Sequence, residues 1–248
     1  MKYSILTTSD ESYFPHLKIL VNSILDKCDL SYIKTLNIID NGLTFYQIKY
    51  LKDKSNIINI ITTGVRTNFS GGTWGEDWQK NVKGKTVHLY DMVSKIQEPL
   101  LMLDADMMIM KDLYPLLEQG GDLQVCVRPN NPISKYIGSY FFSINPKKIL
   151  PFIKEWKEAT QNTTGKGAHE SPALSRTVER YKQVLDIVEI DQSIVNWFLP
   201  PNHQQHPMPD RTMIIHFKGN ALFDSFEDQF NARVKNADWG KYVNKYID

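Results

Sequence analysis

Apolar and polar positions alternate along the first third of the chain in blocks that predict strands and helices in turn. Residues 2–7, 36–39 and 57–61 are short apolar runs that end in polar or turn-forming residues, as strands do. Residues 44–53 favour a helix. An earlier helix is predicted by five apolar residues spaced three and four apart: Leu17, Leu20, Val21, Ile24 and Leu25. This alternation is typical of an α/β fold with a parallel or mixed sheet between helices.

The rest of the chain continues the alternation. Further helices are predicted at 84–96, 146–160 and 173–184, and further strands at 123–127, 140–144, 186–190 and 213–217. Two polar stretches, 63–82 and 161–172, are predicted to be loops. Because no repeat, low-complexity tract or shift in composition marks a boundary, residues 1–248 are predicted to form a single domain.

Composition is that of a soluble globular protein and excludes several classes of function. The 248 residues are 42% hydrophobic and 23% charged, with a formal net charge of +1. That charge gives no electrostatic reason to bind nucleic acid or an anionic membrane. Cys28 and Cys126 lie in apolar segments and predict free thiols in a reducing compartment. The chain shows neither a signal peptide nor an apolar stretch of about 20 residues, so we expect a cytoplasmic protein without a transmembrane segment.

Residues 99–110 place two carboxylates inside an apolar run. The sequence Pro-Leu-Leu-Met-Leu-Asp-Ala-Asp-Met-Met-Ile-Met predicts a buried strand that carries Asp104 and Asp106. Buried carboxylates need a cationic partner, since leaving them unpaired costs several kcal/mol. Oxygen ligands at the carboxyl end of a strand suit a hard divalent metal, and open α/β sheets bind their ligands at that end. The pair therefore predicts a metal-dependent site for a phosphorylated substrate.

Three other segments accompany this pair. They are the opening strand with Thr7, Thr8, Asp10 and Tyr13; Asp191-Gln192-Ser193-Ile194-Val195-Asn196; and His216-Phe217-Lys218-Gly219. Together with Leu103-Asp104-Ala105-Asp106, they resemble the GT-A nucleotide-sugar glycosyltransferases, above all the retaining family 8 that includes glycogenin and lipopolysaccharide galactosyltransferases. Ser193 stands at an acidic position of that family, and Asn220 begins a sequence that replaces its usual Lys-Pro-Trp. The resemblance is therefore to a divergent member.

The resemblance implies a fold and an activity. The fold would be a single GT-A domain, with a Rossmann-like, mixed and mostly parallel sheet flanked by helices. Residues 1–110 would form the nucleotide-binding half, and residues 111–248 the acceptor-binding half and the C-terminal part of the metal site. The activity would be hexosyltransferase-like, with transfer of a sugar from a nucleoside diphosphate sugar, expected to be a UDP-sugar. The acceptor would be a hydroxyl of a glycan, a lipid-linked molecule or a protein. The transfer would retain the anomeric configuration.

The resemblance also assigns roles to residues. Asp104, Asp106 and His216 would bind the metal, since mixed oxygen and nitrogen ligands favour manganese over calcium and also allow magnesium. The metal would neutralise the leaving diphosphate as a Lewis acid. Asp191 and Gln192 would be catalytic and face the donor sugar. The other donor-binding residues would be Thr7, Thr8, Asp10, Tyr13, Lys85, Ala105, Lys218 and Gly219, the first four at the nucleoside.

Two other functions stay open at this stage. A phosphatase of the haloacid dehalogenase type also uses an Asp-x-Asp motif, but places it after the first strand with Thr or Val two residues on, where this chain has Met108. A non-catalytic sugar- or nucleotide-binding protein could use the same fold, because fold does not fix function. His216 could equally be a structural histidine at a strand end, and Lys85 and Lys218 could be solvated.

Overall fold

The secondary structure follows the predicted alternation of strands and helices. A computed structural model describes residues 1–67, 76–164, 170–198, 208–217 and 240–247, with only the backbone of 76–78. In these residues the strands are β1 (Tyr3–Ser9), β2 (Ile33–Asp40), β3 (Ile58–Thr62), β4 (Leu100–Leu103), β5 (Met107–Ile109), β6 (Leu123–Val127), β7 (Tyr136–Ser143), β8 (Ile187–Asp191) and β9 (Ile214–His216). The helices are α1 (Phe14–Lys27), α2 (Phe45–Lys54), α3 (Glu76–Lys95), α4 (Tyr114–Leu117), α5 (Pro146–Gln161), α6 (Glu170–Tyr181), α7 (Gln192–Val195) and α8 (Gly240–Ile247).

A mixed sheet of seven strands forms the centre of the molecule, in the order β3-β2-β1-β4-β7-β6-β8. Strand β7 runs antiparallel to β4 and β6, and all other neighbours in this sheet are parallel. A second sheet pairs β5 with β9 in antiparallel fashion. The prediction of a mostly parallel sheet flanked by helices is confirmed.

Helices cover both faces of the large sheet because each strand buries successive side chains on opposite sides. Ile5 packs with the apolar stripe of α1 on one face. The next residue, Leu6, belongs to the cluster on the other face, where Leu89 of α3, Trp156 of α5 and Leu174 of α6 are buried. With both faces covered, the carboxyl edge of the parallel strands is the part of the sheet left to bind ligands.

Three local predictions are wrong. The run 99–110 is not one strand, since β4 ends at Leu103 and β5 begins at Met107 and pairs with another sheet. The predicted loop at 63–82 contains the first turns of α3, which begins at Glu76. The predicted loop at 161–172 contains the start of α6, at Glu170. In both polar stretches few apolar residues are present, so the helical periodicity is too weak to detect.

Helix α8 was not predicted from the sequence, and it packs against the small sheet. Val243 and Tyr246 of α8 are buried with Ile19 of α1, Met108 of β5 and Ile215 of β9. None of the helices in the described part of the chain has both the length and the apolar composition of a membrane span.

Candidate active site

The turn between β4 and β5 places two carboxylates at the carboxyl edge of the sheet. The backbone N–H of Asp104 donates to the carbonyl of Ser139 in β7, at 3.1 Å, and the carbonyl of Asp106 accepts from the N–H of Phe217, at 2.8 Å. In the small sheet, Met107 lies opposite His216. The change of sheet after Asp104 therefore brings three residues that are distant in sequence, Asp104, Asp106 and His216, to one place.

The geometry of these three side chains fits a divalent metal. The Nε2 atom of His216 lies 3.1 Å from Oδ1 of Asp106 and 3.9 Å from Oδ2 of Asp104. One ligand atom from each residue lies within 4.8 Å of the others. Adjacent ligands of an octahedral ion with bonds of about 2.1 Å are separated by roughly 3 Å. The donor set, two carboxylates and an imidazole, suits manganese or magnesium completed by oxygen ligands of a substrate.

A second layer of hydrogen bonds orients the imidazole. The Nδ1 atom of His216 lies 2.5 Å from Oδ1 of Asn196, and the same oxygen accepts the hydroxyl of Ser139 at 2.9 Å. Because an amide oxygen can only accept, Nδ1 donates this bond, and Nε2 is the atom turned towards the acids. The sequence motif 191–196 included Asn196, but its contact with His216 could not be predicted from the motif.

The surroundings of Asp106 keep its carboxyl group ionised. Burial raises the pKa of Asp106, but the charge of His216, its hydrogen bond and the charge of His16 outweigh burial, so the pKa lies well below its usual value. Asp106 is therefore ionised wherever the protein is folded near neutral pH. A permanent anion is what a metal ligand requires.

Lys85 of α3 lies buried beside Asp104. Its Nζ donates to Asp104 Oδ1 at 2.7 Å, to Glu170 Oε1 at 2.7 Å and to the carbonyl of Gly138 at 3.1 Å. Burial lowers the pKa of Lys85, but the charges of Asp104 and Glu170 more than reverse this, so the net pKa is raised. The ammonium is thus fixed next to the acids of the candidate metal site. Sequence analysis missed Glu170 because it stands in a stretch predicted to be a loop.

Asp10 organises the carboxyl end of β1. One carboxylate oxygen accepts the backbone N–H of Tyr13 at 3.0 Å and the hydroxyl of Ser12 at 2.8 Å. The other accepts from the hydroxyl of Thr67 at 3.2 Å and from Nδ2 of Asn81 at 3.3 Å. Sequence analysis missed Thr67 and Asn81, since their link to Asp10 depends on the approach of α3 to the sheet edge. Asp10 thereby fixes the shape of this edge.

The other residues assigned to the donor are placed as follows. Thr7 is fully buried in β1, and its hydroxyl has no hydrogen-bond partner within the described residues. Thr8 follows it and is partly buried. Ala105 is buried between the two acids. Lys218 and Gly219 lie outside the described residues.

Asp191 and Gln192 lie at the junction of β8 and α7. Asp191 caps α7, since its Oδ1 accepts the backbone N–H of Ser193 at 2.8 Å and its hydroxyl at 2.6 Å. These bonds, and Arg211 at 3.6 Å, hold the pKa of Asp191 below its usual value. The Oε1 atom of Gln192 is buried and has no hydrogen-bond partner among the described residues. One helical turn later, Asn196 contacts His216, so Gln192 belongs to a segment that contacts the candidate metal site.

Comparison with known sequences identifies one family. The sequence profile described as nucleotide-diphospho-sugar transferase matches residues 46–223, which is more than half of the chain. No curated protein matches the chain significantly by sequence.

Comparison with solved structures gives glycosyltransferases. The galactosyltransferase LgtC in complex with donor and acceptor sugar analogues is 12% identical, with a TM-score of 0.63 over 99% of this chain and 96% of that one. An active-site mutant of LgtC, glutamine to glutamate, is 14% identical, with a TM-score of 0.61 over 87% of each chain. The bifunctional glycosyltransferase WbbM is 11% identical, with a TM-score of 0.66 over 99% of this chain and 51% of WbbM. At these identities the likeness establishes the fold.

Proposed function

Because the chain belongs to the nucleotide-diphospho-sugar transferase family, we propose that it transfers a sugar from a UDP-sugar to an acceptor hydroxyl, with manganese and with retention of anomeric configuration. Membership of this family supports sugar transfer from a nucleotide-sugar donor; the uracil, the metal and the stereochemistry are the proposal. The acceptor is a glycan, a lipid-linked saccharide or a protein. The observation that carries the proposal is the convergence of Asp104, Asp106 and His216 beside the buried ammonium of Lys85.

The diphosphate of the donor would be bound at these residues. Asp104, Asp106 and His216 would hold manganese, or magnesium, which as a Lewis acid would neutralise charge on the leaving diphosphate. Lys85 adds a fixed positive charge at Oδ1 of Asp104. A preorganised charge of this kind stabilises a developing anion without reorganisation during the reaction. Lys218 and Gly219 are proposed to add donor contacts from the segment after β9.

The nucleoside is proposed to lie at the end of β1. Asp10 and the residues around it form a rigid polar edge there, with Tyr13 held through its backbone N–H. Thr7 and Thr8, near the same end of β1, are proposed to complete this edge. Residues 1–110 would accordingly bind the nucleotide, and residues 111–248 would bind the acceptor and complete the metal site.

Gln192 is proposed as the catalytic residue that faces the donor sugar. Its amide oxygen is buried without a hydrogen-bond partner among the described residues, as expected of a group reserved for a substrate. A carbonyl oxygen there would stabilise positive charge at the anomeric carbon as the diphosphate leaves. Asp191 would act by fixing the start of α7, since its carboxylate is already engaged with Ser193.

The test is calorimetric titration of UDP with and without manganese. The parent protein should bind UDP at least about tenfold more tightly with the metal, and Asp104→Asn and Asp106→Asn should lose that gain. Asp53→Asn is the matched control, because Asp53 is an exposed partner of Lys49 in α2. Equal metal-dependent binding by all four proteins would refute the metal site.

A product assay completes the test of function. Hydrolysis or transfer from UDP-sugars in the parent protein separates a transferase from a binding protein on the same fold. NMR of the product from an α-linked donor then decides stereochemistry. A β-linked product would refute retention and leave the glycosyltransferase activity intact.

A further inference from the structure

Among the described residues, four charged side chains meet at the candidate metal site. Lys85 contacts both Asp104 and Glu170 at 2.7 Å, and Asp106 lies with Asp104 around His216. His216 must be neutral to bind a metal. Three carboxylates and one ammonium leave two negative charges, which equals the charge that one divalent cation neutralises. Without Glu170 only one negative charge would remain.

We propose that Glu170 is a positioning residue that shares the charge of Lys85 with Asp104, so that Asp104 keeps enough negative charge to bind the divalent cation. The inference rests on the proposed function, since it concerns the same metal site. One ammonium between two carboxylates is attracted to both and neutralises neither. If Glu170 lost its charge, Lys85 would pair with Asp104 alone, and the metal would have to compete with a lysine for its ligand.

The fold fixes Glu170 in this position. Glu170 is the first residue of α6 and is 8% exposed. Its backbone carbonyl accepts the indole N–H of Trp156 at 3.0 Å, which anchors the helix start to α5. Gly138 leaves the space for its carboxylate, because a Cβ at that position would lie 3.0 Å from Glu170 Oε1 and 3.0 Å from Trp156 Cζ2. A surface ion pair would not need a glycine opposite it.

Titration of the protein with manganese alone, followed by the electron paramagnetic resonance signal of the free ion, tests the charge balance. Glu170→Gln should weaken manganese binding at least about fivefold, because one negative charge is removed near the cation. Lys85→Met should strengthen binding. The double variant Lys85→Met/Glu170→Gln restores two negative charges and should return to within about twofold of the parent.

Glu179→Gln is the matched control on the same helix. Glu179 pairs with Lys182 at 2.8 Å, and its side chain is 55% exposed. It lies nine residues after Glu170, so about 13 Å separates the two along the helix. This variant also removes one negative charge, and its manganese affinity should equal that of the parent.

Each outcome decides the proposal. Parent-like affinity in folded Glu170→Gln, or a double variant that binds as weakly as Glu170→Gln, would overturn it. If Glu170→Gln does not fold, the proposal requires that Lys85→Met bind manganese more tightly than the double variant. If Lys85→Met does not fold, the other two variants decide. A parent that binds no manganese on its own overturns the charge balance and leaves the proposed function to the UDP titration, whereas one that binds manganese but not UDP refutes only the proposed function.

Discussion

Asn196 decides which nitrogen of His216 faces the acids. A histidine in isolation has two nitrogens of nearly equal basicity, and either can carry the proton. Here the amide oxygen of Asn196, itself fixed by the hydroxyl of Ser139, takes the N–H of Nδ1. The histidine at the end of β9 is therefore oriented as a ligand before any metal arrives. Such outer contacts commonly change metal affinity by about 10- to 100-fold.

A prediction about metal binding follows from the contact between Asn196 and His216. Asn196→Ala should weaken manganese binding by roughly tenfold or more, since His216 loses the partner that sets its tautomer and ring orientation. Ser139→Ala removes the hydroxyl that holds Asn196 and leaves the contact with His216 in place, so it should weaken manganese binding less. Manganese titration of both variants checks the order. An Asn196→Ala protein with parent affinity would show that the ring is oriented by packing alone.

Strands and helices with regular apolar spacing could be predicted from the sequence, and irregular contacts could not. β6 was predicted with its observed bounds, because Leu123–Val127 is a buried apolar run with turn residues beside it. The acid pair was recognised for its chemistry, but the break between β4 and β5 was not, since an apolar run does not show which sheet each half joins. The contact of Lys85 with Glu170 spans 85 residues and leaves no local signal.

At the scale of elements, one ion cluster ties the edge strand β8 to β7. Glu189 of β8 accepts the hydroxyl of Tyr136 and lies 3.3 Å from Nζ of Lys182 and 3.6 Å from Nζ of Lys135. Burial raises the pKa of Glu189, but the hydrogen bond and both lysines outweigh burial and lower it. Glu179 also forms ion pairs with Lys182 and Lys135, so the cluster contains a second acid.

The pH dependence of the free energy of unfolding follows from the lowered pKa of Glu189. A carboxyl whose pKa is lower in the folded state stabilises the fold above its unfolded pKa of about 4.3 and loses this contribution as pH falls. Glu189→Gln should therefore reduce the free energy of unfolding at pH 7 by at most about 1 kcal/mol, because the cluster is partly exposed and screened. The difference between the two proteins should vanish in acid. Denaturant titrations at several pH values check this, and a constant difference would contradict it.

At the scale of the whole molecule, a segment distant in sequence, α8, packs against the strands that lead to the candidate metal site. Asp106 directly precedes β5 and His216 ends β9, and these two strands form a small sheet that is not part of the central sheet. Helix α8 covers this sheet and is held to α1, where Asn22 Nδ2 donates to the carbonyl of Tyr246 at 3.1 Å. This packing could not be predicted from the sequence, because α8 is short and its partners are distant in sequence. We therefore expect the positions of Asp106 and His216 to depend on packing by α8.

The last prediction tests this dependence. Val243 is fully buried against Met108 and Ile215, so Val243→Ala should lower the free energy of unfolding by about 1–3 kcal/mol through lost apolar contact and a residual cavity. Because Met108 and Ile215 belong to the strands next to Asp106 and His216, manganese binding should weaken by a few fold as well. Asn244→Ala, an exposed neighbour on α8, is the control and should change neither quantity. Denaturant unfolding and manganese titration on the same samples measure both effects. Loss of stability without loss of manganese affinity would show that α8 supports the fold and leaves the ligand geometry to β5 and β9 alone.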